Sequence, residues 1–140
     1  MLDPAQRVFF SIVAAGILTQ AIKILLSKLH GHHVHAADLV VTGGMPSTHS
    51  ALVTALALSI YFTEGMTTTF LVAAALTAIV LRDALGVRRT AGEEGKIINQ
   101  LITKTKLEVN PLHYSLGHTP AEVAVGVIIG LMTSVIPLFI

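Results

Sequence analysis

Two short runs in this chain set a histidine beside a turn that ends in a helix start. Gly43-Gly44-Met45-Pro46-Ser47-Thr48-His49-Ser50 reads as a glycine-rich turn with proline at the first position of a helix. Gly117-His118-Thr119-Pro120 reads as a turn, a threonine cap and a second such proline. A helix start offers unpaired N–H groups and the positive end of a dipole, which suits an anion. Lys23, Arg82, Arg88 and Arg89 supply more cationic donors than the nearby acids need. Two histidines, cations and helix starts, without a carboxylate cluster of the metal-binding kind, fit phosphoryl transfer with one histidine as nucleophile and the other as general acid.

Each of these residues has a plainer role beside that one. Thr119 and Glu122 have capping-box spacing, so Glu122 either closes a helix or orients a histidine ring. His49 and His118 equally suit ordinary interfacial positions, Lys23 and Arg82 suit snorkelling to the interface, and Asp83 suits an ion pair with Arg82 or Arg88. The tract His30, His32, His33 and His35 has a metal-binding composition without regular ligand spacing, so a solvated loop is expected and no metal site or cofactor is assigned.

Four apolar runs must position these groups, at about 8–29, 47–63, 67–85 and 120–140. About 20 residues cross ~30 Å of hydrocarbon, so the outer two are comfortable spans and the middle two are short. Only 12% of residues are charged, 53% are apolar and the mean hydropathy is +0.76, whereas an average soluble domain carries roughly 25% charge. A soluble four-helix bundle would alternate apolar and charged faces, but from Ala51 to Leu81 the only charge is Glu64. The expected fold is therefore all-α, a polytopic membrane protein with four transmembrane helices in one domain over 1–140. A net charge of +1 argues against a nucleic-acid partner, and the absence of cysteine excludes disulfides and a thiolate nucleophile. Met1 to Arg7 has no basic leader region, so the first run is expected to stay in the mature protein.

Four spans with alternating direction put every histidine and eight of the nine Lys and Arg on one side, leaving Arg7 opposite. The positive-inside rule makes that side cytoplasmic. Within the second long connection, 90–103 reads as a separate helix lying at the interface. Its start carries capping-box spacing at Thr90 and Glu93, and Ile97, Ile98, Leu101 and Ile102 share one face. Small residues recur every four positions on each span: Ser11, Ala15, Thr19, Lys23 and Ser27; Ser47, Ala51, Ala55 and Ser59; Ala74, Ala78 and Arg82; Glu122, Gly126, Gly130 and Ser134. Such stripes let membrane helices approach closely, and three of the four end at an ionisable group on the same side, which points to a shared polar pocket. The pair Gly126 and Gly130 is also a candidate contact for a homo-oligomer.

At these residues the sequence resembles the type 2 phosphatidic acid phosphatase superfamily, and in particular its small divergent branch. Lys23 stands for the superfamily's lysine, Pro46-Ser47-Thr48-His49 for its P-S-G-H element, and His118 with Glu122 for its H-x-x-x-D element. The run from Asp83 through Arg88-Arg89 to Gly92, with Asn99 beyond it, and Leu116-Gly-His-Thr-Pro-Ala-Glu-Val look like the divergent branch itself. Thr48 replaces glycine, Glu122 replaces aspartate, and the arginine of the third element is Arg88 or Arg89, about thirty positions upstream. The resemblance implies that His118 attacks phosphorus to give a phosphohistidine, that Glu122 orients its ring and that His49 protonates the leaving oxygen. It further implies that Lys23, Ser47, Thr48 and Arg88 or Arg89 hold the nonbridging oxygens, with a lipid phosphate or prenyl (pyro)phosphate as substrate and the bilayer as its reservoir. Two other classes remain open, a small oligomeric transporter of anions or lipids and a non-catalytic lipid-phosphate-binding membrane protein.

Overall fold

The computed structural model describes residues 2–29, 44–112 and 117–139, and the histidine tract at 30–35 lies outside them. The described chain is helical: α1 Pro4–Leu29, α2 Thr48–Glu64, α3 Thr68–Leu85, α4 Val87–Thr105 and α5 Pro120–Val135, closed by a 3-10 turn Ile136–Leu138. The starts follow from capping chemistry. Asp3 accepts from the Gln6 N–H at 2.8 Å while Gln6 accepts from the Asp3 N–H at 3.1 Å, so α1 begins four residues before the expected Val8. Ser47 caps α2 and Thr67 caps α3, each accepting from the N–H three residues on. Pro46 therefore precedes the cap of α2 instead of occupying its first turn. Gly65, at φ 76°, supplies the positive φ that lets α2 stop and α3 turn back within three residues. The α-helical ladder of α5 stops short of the expected 140 because Pro137 has no N–H to donate.

Helix α2 is the centre of the bundle, with α1, α3 and α5 packed around it, α1 touching α5 directly and α3 on the flank. Its interior is built from small residues. Ser11, Ala15 and Thr19 of α1, Ala51, Ala55 and Ser59 of α2, and Gly126, Gly130 and Ser134 of α5 are all buried. Most of the buried hydroxyls are satisfied within their own helix; Thr19, for example, donates to the Ala15 carbonyl at 2.8 Å, and Thr133 to that of Ile129 at 3.0 Å. Gly126 and Gly130 lie against α2 of the same chain, where a Cβ on Gly130 would come within 2.5 Å of the Ala51 carbonyl oxygen. The glycine pair expected at an oligomer contact is therefore used inside the monomer.

The small-residue face of α3 differs from expectation. Ala73 and Ala84 are buried, while Ala78 and Arg82 are exposed, so the packed stripe is rotated by about one residue from Ala74, Ala78 and Arg82. The Thr77 hydroxyl, 2.9 Å from the Val53 carbonyl of α2, marks the true contact face.

Large apolar side chains are exposed along the outer faces of the helices, as lipid contact requires. Among the described residues three helical runs are long and apolar enough to cross a membrane: Pro4–Leu29, Thr68–Thr105 through its α3 part, and Pro120–Leu138. The fourth expected span, α2, has 17 residues, or about 26 Å at 1.5 Å per residue, and crosses only with its polar ends at the interface. The chain is an all-helical integral membrane protein with three to four spanning helices.

Helix α4 begins at Val87, three residues before the expected Thr90, so Thr90 and Glu93 lie inside it and form no cap. Gly86, at φ −107° and ψ −95°, breaks the helical ladder between α3 and α4. Glu93 instead pairs with Arg89 one turn back, at 3.2 Å.

Candidate active site

The ends of the helices bring the sequence-predicted groups together at one end of the bundle. Thr119 caps α5 through the Glu122 N–H, Pro120 fills the first turn, and Gly117, at φ 68°, makes the turn before it. The geometry allows only glycine at 117, because a Cβ there would lie 2.7 to 2.9 Å from backbone atoms of Arg88 and Arg89. Gly117 thereby lies against the start of α4, and the His118 N–H reaches the Ala84 carbonyl at the end of α3 at 3.4 Å.

His118 is 6% exposed. Its Nδ1 lies 2.9 Å from Glu122 Oε2, so the partner fixes the ring, and Nε2 has no hydrogen-bond partner among the described residues. The same Oε2 accepts from the Thr119 N–H at 3.1 Å. Glu122 therefore both caps α5 and orients the histidine, and the two alternatives raised by its spacing coexist on one oxygen. Its backbone carbonyl also accepts from the Ser47 N–H at 3.0 Å, which fastens the first turn of α5 to that of α2.

On α2, His49 is exposed and sits within electrostatic reach of Arg88, His118, Lys23 and Asp83. Lys23, on the buried stripe of α1, likewise feels Glu122. Ser47 is fully buried and its hydroxyl oxygen accepts from the Ser50 N–H and from the Ser50 hydroxyl, at 3.4 and 2.8 Å. It builds the start of α2 and presents nothing to solvent. Thr48 differs: its Oγ1 is shielded from solvent and has no hydrogen-bond partner among the described residues, which leaves a donor available beside His49.

The arginines are separated by their partners. Arg88 Nε is 2.7 Å from Asp83 Oδ2, an ion pair that spans the break at Gly86, while Arg89 is drawn along α4 to Glu93. Asp83 thus pairs with Arg88 and not Arg82, whose side chain is exposed on α3. Arg88 is the arginine whose charge reaches His49. The helix expected at 90–103 starts three residues earlier than foreseen, and its true start, with Gly86 at the cap and no side chain bonded there, was missed as a third helix start at the same place. The glycine at position 86 was the available signal, since it stops α3 and opens α4 in the same residue. Among the described residues no three His, Asp or Glu side chains group as they would around a metal ion.

The arrangement suits a tetrahedral oxyanion: an oriented, buried histidine, a second histidine open to solvent, an unpaired hydroxyl, and cations from α1 and α4. Known proteins agree with the ancestry it suggests. A family model described as the divergent PAP2 family matches residues 5–133. An uncharacterized membrane protein of Bacillus subtilis (strain 168), YuiD, is 34% identical over an alignment of 142 positions that covers 90% of each chain. No solved structure matches. With nearly the whole chain matched by the model and the His118–Glu122 and His49 turns inside it, the chain belongs to the divergent PAP2 family.

Proposed function

We propose that the protein is a membrane phosphatase that hydrolyses a lipid phosphate or prenyl (pyro)phosphate through a phosphohistidine. The observation that carries this reading is the 2.9 Å contact between His118 Nδ1 and Glu122 Oε2, which holds a buried ring at a helix start and leaves Nε2 as the nitrogen to act. In the first step Nε2 attacks phosphorus, the ester P–O bond breaks, and His49 gives its proton to the departing oxygen. Glu122 stabilises the imidazolium character that develops on His118. In the second step neutral His49 takes a proton from water, the oxygen of that water bonds to phosphorus, and the P–N bond breaks to release phosphate. Lys23, Arg88 and the Thr48 hydroxyl are the groups available to hold the nonbridging oxygens. Both arginines are ion-paired, but Arg88 is the one whose charge reaches His49 while Arg89 is drawn along α4 to Glu93, which makes Arg89 the weaker candidate, and Ser47 acts through the helix start it caps. A substrate with a hydrocarbon tail suits a site at the end of membrane helices, because the tail stays in the bilayer while the head group enters. The excess of Lys and Arg at this end supports a site on the cytoplasmic side.

The test is phosphate release from a panel of lipid and prenyl phosphates by detergent-purified protein, with and without vanadate. Turnover that vanadate inhibits and that persists in strong chelator supports the reading. Tight vanadate binding without release of phosphate from any substrate would leave a lipid-phosphate-binding protein, and activity that needs a divalent ion would overturn the phosphohistidine.

A further inference from the structure

Helix α4 divides into two halves of different character. Its N-terminal half carries the charges of Arg88, Arg89, Glu93 and Glu94; its C-terminal half carries Ile97, Ile98 and Leu101, all exposed. The segment after it, 106–112, adds Leu107, Val109 and Leu112, so six apolar side chains, each between 43% and 59% exposed, lie beyond the end of α3. Lipid tails around the spans do not account for them, because they follow the span instead of forming part of it.

Asn99 fastens the two pieces together. Its Nδ2 donates to the Leu112 carbonyl at 2.8 Å and its Oδ1 accepts from the Leu112 N–H at 2.7 Å, which copies a backbone bridge with one side chain. Gly92, Gly95, Asn99 and Ile102 recur at helical spacing and are the buried or half-buried residues of α4, so they form its packed stripe. The exposed stripe of Ile98 and Leu101 adjoins that one on the helix surface. Charge is segregated as well: between residues 96 and 112 stand Lys96, Lys104 and Lys106 against the single acid Glu108.

We propose that the C-terminal half of α4 and the segment 106–112, held as one unit by Asn99, form a surface that seats in the headgroup layer of the protein's own membrane and favours anionic lipid. Continuity supplies the first argument. Only Gly86 separates α3 from α4, and its non-helical ψ, together with the Ala84 carbonyl turned to His118, breaks the run that would otherwise carry Leu101 about 22 Å out into water. Charge supplies the second. A second copy of this surface would bring the same lysine excess and repel it, whereas anionic headgroups complement it, each lysine shifting the seated fraction by about fivefold. The arrangement is that of an interfacial amphipathic helix, with a non-helical segment clipped alongside to widen it.

The chain contains no tryptophan, so a single introduced one reports its own surroundings. Leu101→Trp, Val109→Trp and, on the exposed polar face, Gln100→Trp are each reconstituted in vesicles of phosphatidylcholine with or without phosphatidylglycerol, part of the phosphatidylcholine carrying brominated acyl chains. Tryptophan at 101 and at 109 should be quenched and blue-shifted, more so with phosphatidylglycerol and less after Lys104→Ala and Lys106→Ala, while that at 100 stays in water. Asn99→Asp, which replaces the amide donor with a second acceptor, should release position 109 from the bilayer and leave 101 quenched, so position 101 controls for folding. Water-like emission at 101 in both lipid mixtures overturns the proposal. So does shielding at 101 that follows protein density and not bromination, since a second copy is then the cover. Quenching at 109 that Asn99→Asp and Asn99→Ala leave unchanged removes Asn99 as the fastening.

Discussion

Because Glu122 Oε2 receives both the Thr119 N–H and His118 Nδ1, the capping role and the chemical role of this residue are separable by substitution. Thr119→Ala removes the hydroxyl that caps the Glu122 N–H and should cost about 1 kcal/mol of stability, with most of the rate per folded molecule kept. Glu122→Gln keeps an acceptor for the cap but removes the charge that, in the proposed mechanism, stabilises the imidazolium, and should lower phosphate release by about a hundredfold or more with little loss of stability. Thermal unfolding in detergent and initial rates on the same preparations check both. The two histidines should also part company. His118→Ala removes the proposed nucleophile and should be inactive on every substrate, whereas His49→Ala should keep part of its activity on nitrophenyl phosphate, whose leaving group departs without a proton. Equal loss on activated and unactivated esters would reverse or dissolve these roles. Between the arginines, Arg88→Ala should cost about tenfold or more in kcat/KM, the worth of a charge-assisted hydrogen bond, and Arg89→Ala much less.

At the scale of elements the glycines make a graded series. Gly16 of α1 has only Leu52 Cδ2 near the place of a Cβ, at 3.6 Å, while Gly130 of α5 has the Ala51 carbonyl oxygen at 2.5 Å and Thr54 Cβ at 2.7 Å. Gly16→Ala should therefore be neutral or gain up to about 1 kcal/mol from helix propensity. Gly130→Ala must push α5 away from α2 and should cost about 1–3 kcal/mol; because the Glu122 carbonyl holds the Ser47 N–H, it should also disturb the spacing of the two histidine turns. Melting temperatures of the two variants in one detergent decide it, and equal values would mean that the α2–α5 contact is not tight. The same contrast explains what was legible in the chain. Stripes anchored by glycine or serine on α1, α2 and α5 were readable, since few other residues on those faces are small enough to pack. On α3, Ala73, Ala74, Ala75 and Ala78 offer several equivalent faces, and the choice falls to a tertiary contact, Thr77 on the Val53 carbonyl. The start of α4 was misplaced for a related reason: Thr90 and Glu93 have the spacing of a capping box, but the helix there follows directly on Gly86 and needs no such cap.

Over the whole molecule, composition made the medium and the number of helices legible, and two turns with histidine made one end of the bundle the candidate site. The separate ion pairs of Arg88 and Arg89 and the sharing of one Glu122 oxygen by cap and ring were not legible, because they depend on how the α3–α4 junction and the 117–119 turn are set against each other, a contact between segments about thirty residues apart. Orientation in the membrane follows from the whole chain as well. With α1 running one way and α2 the other, Lys23, Lys28, Arg82, Arg88, Arg89, Lys96, Lys104 and Lys106 share an end, and Arg7 with the α2–α3 turn at Glu64 occupies the opposite one. Even without Lys23, Arg82, Arg88 and Arg89, the cations weighed for the candidate site, four lysines remain against one arginine. The site end is therefore expected to face the cytoplasm. The chain has no cysteine, so Lys104→Cys and Glu64→Cys can each be treated on intact cells with an impermeant thiol reagent and again after permeabilisation. The Glu64→Cys variant should label on intact cells and the Lys104→Cys variant only after the membrane is opened. The reverse pattern would put the histidines on the outer face, where the leaving lipid and released phosphate enter the exterior, and would mean that the cations at this end are retained for phosphate and not for topology.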